Sequence, residues 1–112
     1  MATMLLTFGF AQAQCGDMVF KIKDGELRKY NLNGSYQGDI TSDVIDYDNN
    51  NNIIVAVKSN WDVRKYNCNG SYQGDITSDA KKVKIQGGII IVTKNNVDMR
   101  KYNFNGSYQG DI

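Results

Sequence analysis

The side chains best equipped for chemistry in this 112-residue sequence return at a fixed interval. Arg28, Tyr30, Tyr36 and Asp39 recur as Arg64, Tyr66, Tyr72 and Asp75, then as Arg100, Tyr102, Tyr108 and Asp111, each step being 36 residues. A guanidinium and a carboxylate beside two phenol rings can hydrogen-bond and stack on a sugar, so these twelve residues are candidates for one shallow glycan site per repeat. Trp61, the only Trp, is a thirteenth. The same residue types also suit a solvated strand face on which Arg and Asp pair across strands.

Other chemistries start poorly. The sequence holds no His, which removes the commonest general base, and no Ser or Cys stands in an activating motif, so no catalytic residue is named and no enzyme is expected. Asp46, Asp48, Asn50 and Asn52 offer alternate oxygen ligands, but the Gly and distal Glu of a calcium loop are missing. The repeat counterparts at 10–14 and 82–86 lack those oxygens as well, and an Asn-rich turn accounts for the stretch. No metal or cofactor is expected. Cys15 and Cys68 fall at different repeat positions. Cys68 replaces Leu32 and Phe104 as a small hydrophobe, and nothing but their number favours a disulfide between the two. Thirteen cationic side chains against twelve anionic ones give a charge of +1, which argues against nucleic acid and against a polybasic membrane patch. No apolar run approaches the roughly 20 residues of a membrane span.

The elements that must position these residues follow from the repeat. RKYNLNGSYQGDI at 28–40 returns at 64–76 and 100–112 with a single varying position, occupied by Leu32, Cys68 and Phe104. The sequence is read as a single domain, 1–112, of three units, 5–40, 41–76 and 77–112, in register without a gap. Near-identity of the copies fits recent duplication or design. Within each unit, short apolar and β-branched runs at 17–22, 53–58 and 89–94 predict strands buried on both faces. Weaker strands precede them at Leu5–Phe10, Val44–Tyr47 and Ala80–Ile85. A third strand spans Glu26–Asn31 and its copies. Asn33-Gly34 and its copies predict hairpin turns into a fourth, Ser35–Ile40. No helical periodicity is present. The fold class is all-β.

The order in the second unit is Val44–Asp48, an Asn-rich turn, Ile53–Val57, an Arg-containing strand, then Asn69-Gly70 and a last short strand. It resembles a blade of the NHL and YWTD-like β-propeller families, although units of 36 residues are shorter than usual there. The resemblance implies three four-stranded antiparallel blades per chain. A β-trefoil monomer is the alternative. Closed propellers use 4 to 8 blades, so three imply closure by homo-oligomerisation. A head-to-tail dimer of six blades comes first and a trimer second. The expected function is a non-catalytic self-assembling scaffold whose partner is itself, with a lectin-like glycan binder as the alternative. Residues 4–13, an apolar run ending in Ala-Gln-Ala, also resemble a secretory signal and tilt towards a secreted bacterial origin. Whether 1–13 is a cleaved signal or the first strand is left open.

Overall fold

A computed structural model describes residues 15–112. The strand expected at Leu5–Phe10 and the signal-like segment lie outside the described residues. A turn of 3-10 helix (Cys15–Asp17) leads into β1 (Met18–Lys23), β2 (Glu26–Asn31) and β3 (Tyr36–Thr41). The second unit supplies β4 (Val44–Asn49), β5 (Ile53–Lys58), β6 (Val63–Asn67) and β7 (Tyr72–Thr77). The third supplies β8 (Ala80–Gln86), β9 (Ile89–Lys94), β10 (Met99–Tyr102) and β11 (Tyr108–Asp111). Each unit forms its own antiparallel meander: β1-β2-β3, β4-β5-β6-β7 and β8-β9-β10-β11. The described residues form three separate sheets and no closed barrel, which is not a trefoil, and that alternative is set aside.

The repeated turns are made by side chains as much as by glycine. Asn31 Oδ1 accepts the N–H groups of Asn33 (3.1 Å) and Ser35 (2.9 Å), and Asn67 and Asn103 repeat the arrangement. Gly34 takes φ +91° inside that loop, a conformation that costs glycine nothing. Two residues into the next strand Gly38 stands at φ +119°, where the β2–β3 register shifts between Lys29 and Tyr30. This bulge recurs in all three outer strands, and it twists an exposed edge away from stray pairing.

The sheets stack face to face, and two apolar seams form the core. The first joins Phe20, Leu27 and Ile40 to Val44, Ile54, Ala56, Tyr66 and Cys68. The second joins Val55, Val57, Val63 and Ile76 to Ala80, Val83, Ile90, Val92 and Tyr102. Only β5 matches the expectation of burial on both faces, because only the second sheet has a neighbour on each side. In β1 and β9 burial alternates, since one face of each outer sheet lacks a described partner.

Two further expectations are corrected. The repeat aligns Lys21 with Val57 and Thr93, yet β2 does not use that register. Leu27 pairs with Ile22, whereas Val63 pairs with Val57 and Met99 with Thr93. The turn after β1 is Asp24-Gly25 alone, one residue shorter than Ser59–Trp61, where Lys58 N–H donates to Asp62 O. A one-residue slip reverses the facing of a strand. It turns Met18, Phe20 and Ile22 into the seam and Val19, Lys21 and Lys23 outward. Lys23, not Ile22, therefore stands where Lys58 and Lys94 stand. Cys15 and Cys68 form a disulfide, with Cα atoms 5.1 Å apart. Cys15 N–H donates to Asn51 O at 3.0 Å, which holds the entry to β1 against the second sheet. Repeat position carries no information about that proximity between sheets.

Candidate functional site

The repeated polar residues gather at the outer strands of each sheet. Arg28 pairs with Asp39 because β2 and β3 run antiparallel in that register, and likewise Arg64 with Asp75 and Arg100 with Asp111. The Arg Nε lies 3.8, 3.6 and 3.6 Å from the Asp Oδ1 in turn. The far side of each guanidinium meets a second carboxylate: Glu26 at 2.9 Å, Asp62 at 3.6 Å, Asp98 at 3.9 Å. Tyr36, Tyr72 and Tyr108 each donate their hydroxyl to the same Asp Oδ1 at 2.6 Å. That bond, first among the causes, holds each hydroxyl's pKa above its ordinary 10.0. Arg28 and Arg64 also lie over the Tyr36 and Tyr72 rings at 5.7 and 5.9 Å. Among the described residues, each Arg Nε is shielded from solvent without a hydrogen-bond partner.

The other tyrosines keep ring contact with this cluster, Tyr30 with Tyr36, Tyr66 with Tyr72 and Tyr102 with Tyr108 at 5.8, 5.9 and 5.9 Å between centroids, but differ in burial. Tyr66 and Tyr102 are buried in the seams, and each donates its hydroxyl to a Thr Oγ1 at 3.2 Å, of Thr41 and of Thr77. Tyr30 stays half-buried on the outer face of the first sheet. Trp61 sits in the β5–β6 turn, 45% exposed at φ +77°, and its carbonyl accepts the N–H of Ala80 at 3.0 Å. Val97, its equivalent, also has positive φ (+68°), where a β-branched residue is strained. Gly25 fills that place in the first unit at φ +80° without such cost.

Sequence reasoning missed the residues that join sheet to sheet. Lys58 Nζ donates to Thr41 Oγ1 at 2.6 Å and to Ser42 O, and Lys94 Nζ to Thr77 Oγ1 at 3.0 Å and to Ser78 O. Each thus locks its sheet onto the end of the preceding one. Burial, with Arg64 adding, lowers the pKa of Lys58, while Asp43 opposes the shift. Lys65 Nζ donates across the second seam to Phe104 O. Along the inner strands, Asp46 Oδ2 accepts Val83 N–H at 3.0 Å and Asp48 Oδ2 accepts Ile85 N–H at 2.6 Å. The two carboxylates cover the open edge of β8. The recurrence of Lys at 58 and 94 was the available signal, and only the slip in β1 reveals Lys23 as the third.

Among the described residues, two faces of the stack carry no sheet. On the first sheet Val19, Lys21, Lys23, Arg28 and Tyr30 look outward, since Lys21 pairs with Arg28 and Val19 with Tyr30. On the third, Lys82, Lys84, Ile91, Thr93, Met99 and Lys101 share a face by their pairings. A cleft of about 390 Å³ lies there.

The solved structure of the N-terminal domain of Nup159 superposes on this stack with a TM-score of 0.64 over 87% of the chain, at 17% identity. A chain of the S. cerevisiae complex of a Dbp5 variant bound to Nup159, a Gle1 variant, IP6 and ADP superposes with a TM-score of 0.64 over 85%, at 18% identity. The fold is propeller-like. Each sheet is a blade-like unit, and this chain spans 28% and 27% of the length of those two neighbours. No family model and no curated protein matches the sequence.

Proposed function

We propose that this chain is a non-catalytic scaffold of propeller blades of the NHL and YWTD-like kind, which recruits further blades to its two outer faces. A second copy of the same chain comes first, giving six blades, and a third copy comes next. The observation that carries this reading is the equivalence between outer and inner faces. Ile91, Met99 and Lys101 occupy the places of Val55, Val63 and Lys65, which the third blade covers. Lys23, Arg28 and Tyr30 occupy those of Lys58, Arg64 and Tyr66, which meet the first blade. Such a contact is head-to-tail and heterologous, so it closes only if the rotation allows. A fold neighbour found bound to other proteins supports an interaction role in general. Native mass spectrometry at neutral pH is expected to give twice the 12.6 kDa of one chain, and a monomer overturns self-assembly.

A glycan-binding reading has the half-exposed rings of Tyr36, Tyr72 and Tyr108 in its favour. Against it, each Asp carboxylate is already engaged by Tyr and Arg of its own blade. Glycan-array binding abolished by alanine at those three tyrosines is the result that would restore it.

A further inference from the structure

The inner-strand seat on the third blade differs in charge from the one that the third blade itself fills. On the second blade, Asp46 and Asp48 stand beside Val57 and Val55 and accept the N–H groups of β8. On the third blade the same positions hold Lys82 and Lys84, beside Thr93 and Ile91. Two acceptors have become two donors. Both lysines are exposed, and with Asp46, Gln86, Ile91, Thr93 and Met99 they line the cleft of about 390 Å³. Asp46 accepts from Val83 N–H, and among the described residues neither lysine is in an ion pair.

We propose that this cleft is a docking groove for an acidic extended segment of another protein, whose carboxylates meet Lys82 and Lys84 while its apolar side chains lie on Ile91 and Met99. Charge complementarity selects this occupant over a second copy. A blade docked as the third docks on the second would present inner-strand N–H groups, which Lys82 and Lys84 cannot accept. The inference rests on the reading that the outer faces bind protein, and departs from it over which protein fills this seat most tightly. An acidic segment and a second copy then compete, so the segment limits assembly.

The test uses the whole chain and a fluorescein-labelled octapeptide of alternating Asp and Val, with Asn/Val and Lys/Val octapeptides as controls. Fluorescence anisotropy is expected to show the acidic peptide binding at least tenfold more tightly than the Asn/Val peptide, by an amount that shrinks with added salt. K82D/K84D, which restores the carboxylates of the second blade at two exposed positions, is expected to reverse the preference towards the Lys/Val peptide. K82Q/K84Q is expected to abolish the preference, and circular dichroism checks that both variants are folded. Equal affinity for the acidic and Asn/Val peptides, or an acidic preference that survives K82D/K84D, overturns the groove. Native mass separates the two readings. A dimer that ignores the acidic peptide leaves self-assembly standing and overturns the groove, whereas a monomer that binds it in a Lys82- and Lys84-dependent way upholds the groove and overturns self-assembly.

Discussion

The two seams of this stack come from nearly the same sequence and are fastened differently. Both use the same clamp, Lys58 on Thr41 and Ser42 in one and Lys94 on Thr77 and Ser78 in the other. The first seam then adds a covalent tie at Cys15–Cys68 and an edge-on aromatic contact between Phe20 and Tyr47, whose hydroxyl donates to Phe20 O at 3.0 Å. The second has neither. It is mostly aliphatic, with Tyr102 and Phe104 as its aromatic members, and two carboxylates of β4 hold the backbone of β8. The clamp residues recur from unit to unit, Lys58 as Lys94 and Thr41-Ser42 as Thr77-Ser78, whereas Cys15, Cys68, Phe20, Asp46 and Asp48 stand where the units differ. The recurring residues make a common joint, and the residues that differ make each joint particular.

The comparison is broken most forcibly at the disulfide. Closing a 53-residue separation removes about 4 kcal/mol of chain entropy from the unfolded state on the loop-closure account. C15A/C68A, or reduction of the native chain, is expected to lower the unfolding free energy in urea by about that amount. Amide exchange is expected to quicken first in the first seam, around Ile54 and Tyr66, with the second seam holding longer. Equal loss of protection in both seams contradicts a local clasp.

An effect of similar size, confined to the other seam, is expected from D46A/D48A. Each substitution leaves a β8 N–H without its acceptor, at a cost of about 1 to 3 kcal/mol. The amides of Val83 and Ile85 are expected to lose protection, while Val44 N–H, which donates to Gly25 O at 2.8 Å, keeps its own. D46N/D48N retains an oxygen acceptor without the charge and is expected to cost less. If the asparagine and alanine pairs behave alike, the carboxylates do not hold β8 in the way the distances indicate.

These fastenings also mark where the sequence was legible. The repeat, the strand-forming runs and the Asn-Gly turns are local, and the strands of residues 15–112 follow them closely. The slip in β1 was legible too, in the alternation of Met18, Phe20 and Ile22 with Val19, Lys21 and Lys23, but a gapless 36-residue alignment hides it. Asp46 and Asp48 read as part of an Asn-rich turn because their partners are backbone N–H groups 37 residues away, which have no residue type to recognise. Cys15–Cys68 and the Lys–Thr clamps are contacts between sheets, and strand periodicity describes a sheet, not its neighbour. Of the candidate binding residues, the Arg–Asp pairing was readable from cross-strand logic. The burial of Tyr66 and Tyr102 in the seams was not, since a phenol serves core and surface equally well.

The smallest expected effect concerns the three edges, which the seams' differences do not touch. Tyr36, Tyr72 and Tyr108 donate to Asp39, Asp75 and Asp111, and each has its folded pKa raised above 10.0. A raised folded pKa means that the folded chain retains the proton while the unfolded chain sheds it. The stability this contributes is whole below pH 10.0 and is lost as pH climbs through the folded value. Lys58 runs the other way, because its folded pKa lies below 10.5 and folding gains as it deprotonates ahead of the unfolded chain. Y36F, Y72F and Y108F are therefore expected to flatten the alkaline fall in stability by the same small step each, with K58M steepening it. Tyrosinate absorbance in the folded chain is expected to begin its rise later than in urea. Unequal steps among the three phenylalanine variants mean that the blades differ at their edges as well as at their seams, and that the faithful half of the repeat is less uniform in energy than in sequence.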